Sequence, residues 1–278
     1  MRQVTLPSGL KVPALGQGTW GMGESRSRRS EEVAALRFGL DLGLTLIDTA
    51  EMYGEGGAER VVAEAMEGRR DAVYLVTKVY PHHANLRGTL AACERSLQRL
   101  RTDRIDLYLL HWRSIYPLSE TVEAFEALVR SGKIRNWGVS NFDLSDLKAL
   151  EALPEGRQVA ANQVLYNLTH REVELDLIPW CRERHLPIMA YSPIEQGRML
   201  GEPALKKIAA RRGITPAQAA LAWLLEKEET MVIPKASHFE HLLKNRAALE
   251  VRLGSDDLTE LDRAFPAPRK FSPLRSAS

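Results

Sequence analysis

The chain has 278 residues and a formal net charge of +2, with 44% hydrophobic and 27% charged residues. This composition is typical of a soluble globular protein with a large core, and the near-neutral charge disfavours nucleic acid or a membrane surface as a partner. No apolar run approaches the ~18 residues of a membrane-spanning helix, and the N-terminal residues do not resemble a signal peptide. Since there are only two cysteines, Cys93 and Cys181, we expect a reduced, cytoplasmic protein.

The N-terminal residues 1–14 predict a β-hairpin, because Val4 and Leu6 alternate before a Pro-Ser-Gly turn and Leu10 and Val12 follow it. Beyond the hairpin, short apolar segments alternate with amphipathic ones. The predicted strands are 15–19, 44–48, 73–78, 105–111, 134–140, 161–166, 187–191 and 231–235. The predicted helices are 31–42, 59–66, 85–100, 120–130, 145–150, 174–184, 203–211 with 216–227, and 239–249.

Helix-start signals accompany this alternation. Ser30, Ser119 and Thr215 each precede a predicted helix, and Pro216 follows the last of them. Eight strand–helix units with strongly apolar strands indicate an α/β protein, a (β/α)8 TIM barrel, built as a single domain over residues 1–278. The proline-rich tail after Asp262 is predicted to extend irregularly over one barrel end.

Polar residues follow the predicted strands at the end where such barrels carry their chemistry. They include Asp48 with Tyr53 beyond it, Lys78 and His111. Alone, each has a plain structural explanation, such as a surface lysine, a hydrogen-bonded histidine or a structural ion pair. Together at one barrel mouth they suggest proton transfer. Asp48 would keep Lys78 charged, Lys78 would lower the pKa of Tyr53, Tyr53 would act as the acid, and His111 would orient the accepting oxygen.

The sequence resembles the aldo-keto reductase family over nearly its whole length. The resemblance rests on the segments GLTLIDTAEMYG, LVTK, LYLLHW, WGVSNF, NQVLYN, AYSP and IPKA, in this order. It implies that Asp48, Tyr53, Lys78 and His111 form the catalytic tetrad, and that the N-terminal hairpin plugs the barrel bottom. It also implies NADPH-dependent reduction of aldehydes or ketones, with the hydride from nicotinamide and the proton from Tyr53.

The same resemblance implies the cofactor contacts. Ser140, Asn141 and Gln163 match residues that hold the nicotinamide carboxamide, Tyr191 matches the aromatic that stacks on the ring, and Lys235 matches the lysine at the 2′-phosphate. The full set of expected cofactor residues is Gly18, Thr19, Asp48, Ser140, Asn141, Gln163, Tyr191, Ser192, Pro193, Gln196, Lys235, Ala236, Ser237, His241, Lys244 and Asn245.

Two departures from the family pattern concern phosphate binding. Glu195 replaces a glycine of the pyrophosphate loop, so we expect its carboxylate to point away from the phosphates. Ala236, His241 and Lys244 stand where the family often has serine, arginine and glutamate. Losing the arginine removes a planar, permanently charged phosphate ligand. We therefore expect NADPH as the cofactor, with NADH as a second, less favoured one.

Several alternatives are less favoured. The segment from Gly16 to Gly21 fits GxGxxG, but a Rossmann fold requires a helix to open directly after the glycines, and here the predicted helix begins only at residue 31. The other two less favoured alternatives are a regulatory subunit that binds the cofactor and a (β/α)8 enzyme without redox chemistry. No metal site is expected from the adjacent His82 and His83. The arginine clusters 26–29 and 211–212 are interpreted as solvent-exposed surface.

The substrate pocket is predicted to be aromatic and largely apolar. Its expected walls are Trp20, Met52, Tyr80 and Trp112, with Tyr116 nearby. The short loop after His111 predicts an open pocket that suits small aldehydes and keto-aldehydes such as methylglyoxal. We expect the protein to be a monomer whose partner is this small-molecule carbonyl substrate.

Overall fold

The N-terminal hairpin packs on one end of a barrel in the computed structural model, which describes residues 2–270. Strands β1 (Gln3–Thr5) and β2 (Lys11–Pro13) pair antiparallel, with Val4 opposite Val12. Pro7 lies with Val159 and Leu186, which precede two barrel strands, and the Arg2 side chain donates to the Lys227 carbonyl at 3.0 Å. The hairpin therefore closes the end of the barrel at which the strands begin, as predicted.

Eight parallel strands form the barrel, and each pairs with its neighbour in chain order. Two bridges, Leu15 with Val232 and Gly18 with Lys235, join the first barrel strand to the last. The predicted (β/α)8 fold is thus confirmed. The strands are β3 (Gly16–Gly18), β4 (Leu46–Asp48), β5 (Tyr74–Val79), β6 (Ile105–Leu110), β7 (Ile134–Ser140), β8 (Asn162–Leu165), β9 (Ile188–Tyr191) and β10 (Thr230–Val232).

Helices follow the barrel strands, and all but α10 lie where the apolar periodicity predicted a helix. They are α1 (Arg29–Asp41), α2 (Gly57–Ala65), α3 (Leu86–Leu100), α4 (Leu118–Arg130), α5 (Leu144–Glu151), α6 (Leu177–Glu183), α7 (Pro203–Arg212), α8 (Pro216–Leu225), α9 (Phe239–Ala247) and α10 (Ser255–Ala264). Among residues 2–270, none of the helices is both long and apolar enough to cross a membrane. Both cysteines are buried and free.

Three local predictions were wrong. Ser30 and Ser119 cap nothing, because α1 and α4 begin earlier, after Arg28 and Pro117. Helix α10 was not predicted, and it carries residues 263 and 264, which were expected to be irregular. The capping box of α8 was predicted in part: the Thr215 hydroxyl accepts from the Gln218 backbone N–H at 3.2 Å, and the Gln218 side chain accepts in return. The remainder of the predicted tail, residues 271–278, lies outside the described residues.

Two arginines that are distant in the sequence stabilise α10. Asp257, in its first turn, is fully buried and forms ion pairs with Arg211 and Arg212 at the end of α7. The two arginines are solvent-exposed, as expected, but their pairing with a buried carboxylate was not predicted. Burying a carboxylate is costly without such partners, so the pairs fix α10 against the barrel's outer layer.

Candidate active site

A buried ion pair lies at the C-terminal mouth of the barrel. Asp48 ends β4 and Lys78 lies near the end of β5, and the Lys78 ammonium donates to both Asp48 oxygens, Oδ1 at 2.9 Å and Oδ2 at 2.8 Å. It also donates to the Thr49 carbonyl at 2.8 Å. Lys78 is fully buried and Asp48 is 3% exposed. These hydrogen bonds offset the cost of removing two charges from water.

Burial and pairing with Asp48 shift the pKa of Lys78 in opposite directions. Desolvation lowers the pKa of its ammonium, and the Asp48 carboxylate counteracts that shift by attraction and hydrogen bonding. The net direction is downward. Asp48 therefore opposes the loss of the Lys78 proton that burial favours, and its role in keeping Lys78 charged stays a prediction.

Tyr53 completes the centre from the loop after β4. Its hydroxyl lies 3.4 Å from Lys78 Nζ, and its ring centroid is 5.0 Å from the same atom. Burial, followed by the negative charge of Asp48, raises the pKa of Tyr53 well above its ordinary value. The expected lowering by Lys78 was wrong as a net direction, because burial and the negative charge of Asp48 both disfavour the phenolate. Tyr53 thus holds its proton at neutral pH and can donate it.

His111 faces Tyr53 from the end of β6. The two rings meet edge to face with centroids 5.7 Å apart, and the His111 backbone N–H donates to the Val79 carbonyl at 3.1 Å. Burial and the nearby Lys78 charge lower the pKa of His111 well below its ordinary value. The imidazole is therefore neutral near pH 7, so it can orient an oxygen by a hydrogen bond but carries no charge.

The predicted nicotinamide residues form a connected network beside this centre. Tyr191 donates from its hydroxyl to Asn141 Oδ1 at 2.9 Å, and Asn141 Nδ2 donates to Ser140 Oγ at 3.1 Å. Gln163 Nε2 donates to Asp48 Oδ1 at 2.8 Å. Sequence reasoning gave Gln163 only a cofactor role. Its bond to Asp48 depends on the packing of β8 against the mouth, which no sequence signal showed.

The loop after β9 is held in an unusual backbone conformation. Ser192, Glu195 and Gln196 have φ values of 48°, 49° and 53°, in the left-handed region that non-glycine residues rarely adopt. The Glu195 carboxylate accepts from Asn167 Nδ2 and from Arg198, each at 2.9 Å. The Glu195 carboxylate thus already has an arginine and an amide as partners, and the expectation that it points away from the phosphates stays a prediction. Pro193 is buried and Gln196 is exposed.

Several of the residues that were predicted to bind the adenosine 2′-phosphate of the cofactor line one cavity of about 270 Å³. Its lining is Arg28, Glu31, Glu32, Lys235, Ala236, Ser237, His238 and His241. Lys235, Ala236, Ser237 and His241 thus come together as predicted. Lys244 does not line the cavity, because its ammonium donates to Glu240 at 2.6 Å along α9, and Asn245 is buried in the same helix. Arg28 was not expected there.

The glycine-rich segment at the start of the barrel serves its closure. A Cβ on Gly18 would lie 2.8 Å from the Ile233 carbonyl oxygen, so only glycine lets β3 approach the last strand. Thr19 donates from its hydroxyl to the Asp48 carbonyl at 3.0 Å. Helix α1 begins only at Arg29, after a 3₁₀ turn over Arg26–Arg28. The Rossmann alternative is therefore wrong, and a cofactor contact of Gly18 or Thr19 stays a prediction.

Aromatic side chains border the mouth. Trp20 is 53% and Met52 37% exposed, and Trp112 stacks on His111 with centroids 4.0 Å apart. The rings of Tyr80 and Trp112 meet edge to face at 6.5 Å. Tyr116 packs, partly buried, on the core. Met52, Tyr80 and Trp112 thus lie on loops that follow the strands of the predicted catalytic residues, whereas Trp20 lies on the loop after β3.

Sequence reasoning missed Glu51, between Asp48 and Tyr53. Its carboxylate accepts from the Tyr80 backbone N–H at 2.8 Å and lies 2.9 Å from His83 Nδ1, so it fixes the loop that carries Tyr80. His82 stacks on Tyr80 with centroids 4.7 Å apart. Within residues 2–270, no three histidine, cysteine, aspartate or glutamate side chains are grouped so that they could hold a metal ion.

A larger cavity, about 430 Å³, lies at the hairpin end between α5 and α6, and Pro7 and Trp180 help to line it. None of the predicted site residues borders this cavity. Its charged lining residues are largely paired with one another, as Arg184 is with Glu151 at 3.0 Å. We therefore assign the chemistry to the barrel mouth, where an ion pair is buried beside a protonated phenol.

Comparison with known proteins agrees with this assignment. A model of the Aldo/keto reductase family matches residues 14–265. Methylglyoxal reductase YeaE of Escherichia coli (strain K12) is 51% identical over 273 residues, which are 96% of each chain. A crystal structure of an aldo/keto reductase from Klebsiella pneumoniae in complex with NADP and acetate superposes with a TM-score of 0.97 at 50% identity, covering 99% of both chains. A second structure from that organism, in complex with NADPH, gives 0.96 at 50% identity over all of both chains.

Proposed function

Because the chain belongs to the aldo/keto reductase family, we propose that its barrel mouth reduces methylglyoxal and related small keto-aldehydes to alcohols with NADPH. The protein is an oxidoreductase that acts on carbonyl groups. The observation that carries this proposal is the buried Asp48–Lys78 pair with the Tyr53 hydroxyl 3.4 Å from the lysine nitrogen. The alternative, a regulatory subunit without important turnover, explains neither the burial of this pair nor its contact with a protonated phenol.

The residues present suit NADPH. Lys235 lines the 270 Å³ cavity, and its ammonium has no carboxylate within ion-pair distance in the part of the chain that the structure describes. A phosphate group would supply that missing charge. Tyr191, Asn141, Ser140 and Gln163 would hold the nicotinamide end beside Tyr53. The bound cofactor supplies the hydride.

The protein's own residues supply the proton. Tyr53 would donate its hydroxyl proton to the substrate carbonyl oxygen, which becomes the alcohol hydroxyl, while neutral His111 would hydrogen-bond to the same oxygen. The phenolate that remains is stabilised by the Lys78 ammonium. Asp48 contacts neither substrate nor Tyr53 in this scheme; it positions Lys78 and keeps it charged. Since burial raises the pKa of Tyr53, the donor stays protonated at neutral and mildly alkaline pH.

The shape of the mouth supports a small substrate. The loop from β6 to α4 has only residues 111–117, and Trp20 and Met52 at the rim are more than one-third exposed. The relative named methylglyoxal reductase supports a small keto-aldehyde as the substrate class.

A carbonyl panel tests the proposal. The purified protein is assayed with methylglyoxal, a longer aliphatic aldehyde and a bulky aromatic ketone, each with NADPH and with NADH. We expect turnover with NADPH to be fastest on methylglyoxal, and slower with NADH. Tight NADPH binding without oxidation by any carbonyl would instead favour a regulatory subunit.

We further propose that the protein is a cytoplasmic monomer. Two free, buried thiols suit a reducing compartment. Every residue assigned to the reaction comes from one chain, so the site requires no second copy. Sedimentation velocity should give the mass of one chain, and a dimer at micromolar concentration would contradict this proposal.

A further inference from the structure

Two cations without carboxylate partners line the same cavity. Arg28 and Lys235 come from opposite ends of the sequence, and both border the 270 Å³ cavity beside β10. Among the ion pairs of residues 2–270, neither side chain takes part in one. The neighbouring Arg29, by contrast, donates to Glu64 at 2.5 Å. Two unpaired positive charges beside one cavity raise its positive potential and favour the binding of an anion there.

The acidic residues of the cavity do not supply that counterion. The Glu32 carboxylate is buried and accepts from the Gly23 backbone N–H at 2.9 Å. Glu31 lies 3.7 Å from His238 Nδ1. The Glu32 carboxylate is thus hydrogen-bonded elsewhere, and among residues 2–270 neither Glu31 nor Glu32 forms an ion pair with Arg28 or Lys235.

We propose that Arg28 binds the 2′-phosphate of NADPH together with Lys235 and so determines the cofactor preference of this protein. The inference rests on the proposed NADPH dependence. In the resembled family an arginine often stands where this chain has His241, and Lys244 is held by Glu240. Arg28 restores a guanidinium to the cavity from a different element, the 3₁₀ turn between β3 and α1.

The chemistry of a guanidinium suits this role. Its planar donors can bind two oxygens of one phosphate, whereas a lysine ammonium acts as a point charge. NADH lacks the 2′-phosphate, so Arg28 would have no phosphate to bind in that cofactor. The interpretation of Arg28 as plain solvated surface therefore changes, while Arg26, on the same turn, remains outside the cavity lining.

Calorimetric binding titrations of the protein without substrate test the inference. We compare NADP⁺ and NAD⁺ binding to the wild type, Arg28→Met, Arg28→Lys and the matched control Arg26→Met. Arg28→Met should weaken NADP⁺ binding about tenfold or more and change NAD⁺ binding less than twofold, from the loss of a charge-assisted hydrogen bond. Arg28→Lys should recover part of the loss, and Arg26→Met should match the wild type. Because Arg28 is exposed, unfolding midpoints should stay unchanged.

The outcomes separate the two proposals. If the wild type prefers NADP⁺ but Arg28→Met binds both cofactors as Arg26→Met does, the role of Arg28 is overturned and NADPH dependence stands. An equal loss of affinity for NADP⁺ and NAD⁺ in Arg28→Met also overturns the role of Arg28, since its effect would then not depend on the 2′-phosphate. If the wild type itself binds NADP⁺ no more tightly than NAD⁺, both the role of Arg28 and the NADPH preference fail.

Discussion

Lys78 donates hydrogen bonds to both carboxylate oxygens of Asp48, at 2.9 and 2.8 Å, inside a barrel where the lysine side chain has no exposed surface. Burying two charges usually contributes little net stability, whereas removing one partner leaves a costly unpaired charge. The pair is therefore better explained by its contact with Tyr53 than by a contribution to folding. It places a positive charge 3.4 Å from the phenol oxygen.

Removing one member of the pair should destabilise the fold. Lys78→Met leaves the Asp48 carboxylate buried with Gln163 as its remaining side-chain donor, so we expect a loss of about 3–5 kcal/mol in the free energy of unfolding. The double variant Asp48→Asn, Lys78→Met should lose clearly less, because no charge stays buried. Urea unfolding measures both, and a double variant as unstable as the single one would contradict the argument.

His111 should make stability depend on pH in one direction. Its folded pKa lies well below the ordinary 6.5, so between these two values the unfolded chain binds a proton that the folded chain does not. Stability is then fully present above pH 6.5 and falls as the pH drops, by at most about 1.4 kcal/mol per unit. Between pH 7 and pH 5, wild type should lose up to about 2 kcal/mol more than His111→Gln does. Equal losses in the two proteins would show that His111 titrates normally.

The seam of the barrel should depend on Gly18. An added Cβ would lie 2.8 Å from the Ile233 carbonyl oxygen, a backbone atom that cannot rotate away. We expect Gly18→Ala to cost about 1–3 kcal/mol in the free energy of unfolding. Gly201→Ala is the matched control, since no atom lies within 4 Å of its added Cβ, and it should cost little. A tolerated Gly18→Ala would mean that the two seam strands can separate freely.

Lys235 and Lys244 should differ in their effects on cofactor binding. Lys235 lines the cavity without a carboxylate partner, while Lys244 is paired with Glu240 outside the lining. Lys235→Met should weaken NADPH binding about tenfold or more and NADH binding little, whereas Lys244→Met should change neither. Equal effects of Lys235→Met on both cofactors would refute its assignment to the 2′-phosphate.

Local sequence patterns predicted most of the barrel. Strand and helix positions follow from apolar periodicity, and the candidate catalytic residues could be grouped because strand ends converge at one mouth. The strands at the seam are shorter than predicted: β3 covers Gly16–Gly18 and β10 covers Thr230–Val232, with single bridges beyond them. Barrel closure pairs segments that are far apart in the sequence, and such pairing leaves no mark in the local sequence.

Contacts between distant segments could not be predicted. Asp257 in α10 forms ion pairs with Arg211 and Arg212 at the end of α7. Glu51, which follows β4, accepts a hydrogen bond from the backbone of Tyr80, which follows β5. In the sequence, Arg28 cannot be distinguished from the other surface arginines, whereas in the fold it lines the same cavity as Lys235. The pKa of Tyr53 was predicted in the wrong direction for a similar reason, because its burial depends on the whole mouth and the Lys78 charge is only one neighbour.

The role of Tyr53 as the proton donor is decided by the single-turnover rate of Tyr53→Phe with NADPH and methylglyoxal, measured beside its affinity for NADPH. Phenylalanine keeps the ring and removes only the hydroxyl that would donate the proton. We predict a rate reduced about 10²- to 10⁴-fold, with NADPH affinity within about twofold of wild type, which is less than about 0.4 kcal/mol. A variant that reduces methylglyoxal at the wild-type rate would show that Tyr53 is not the acid.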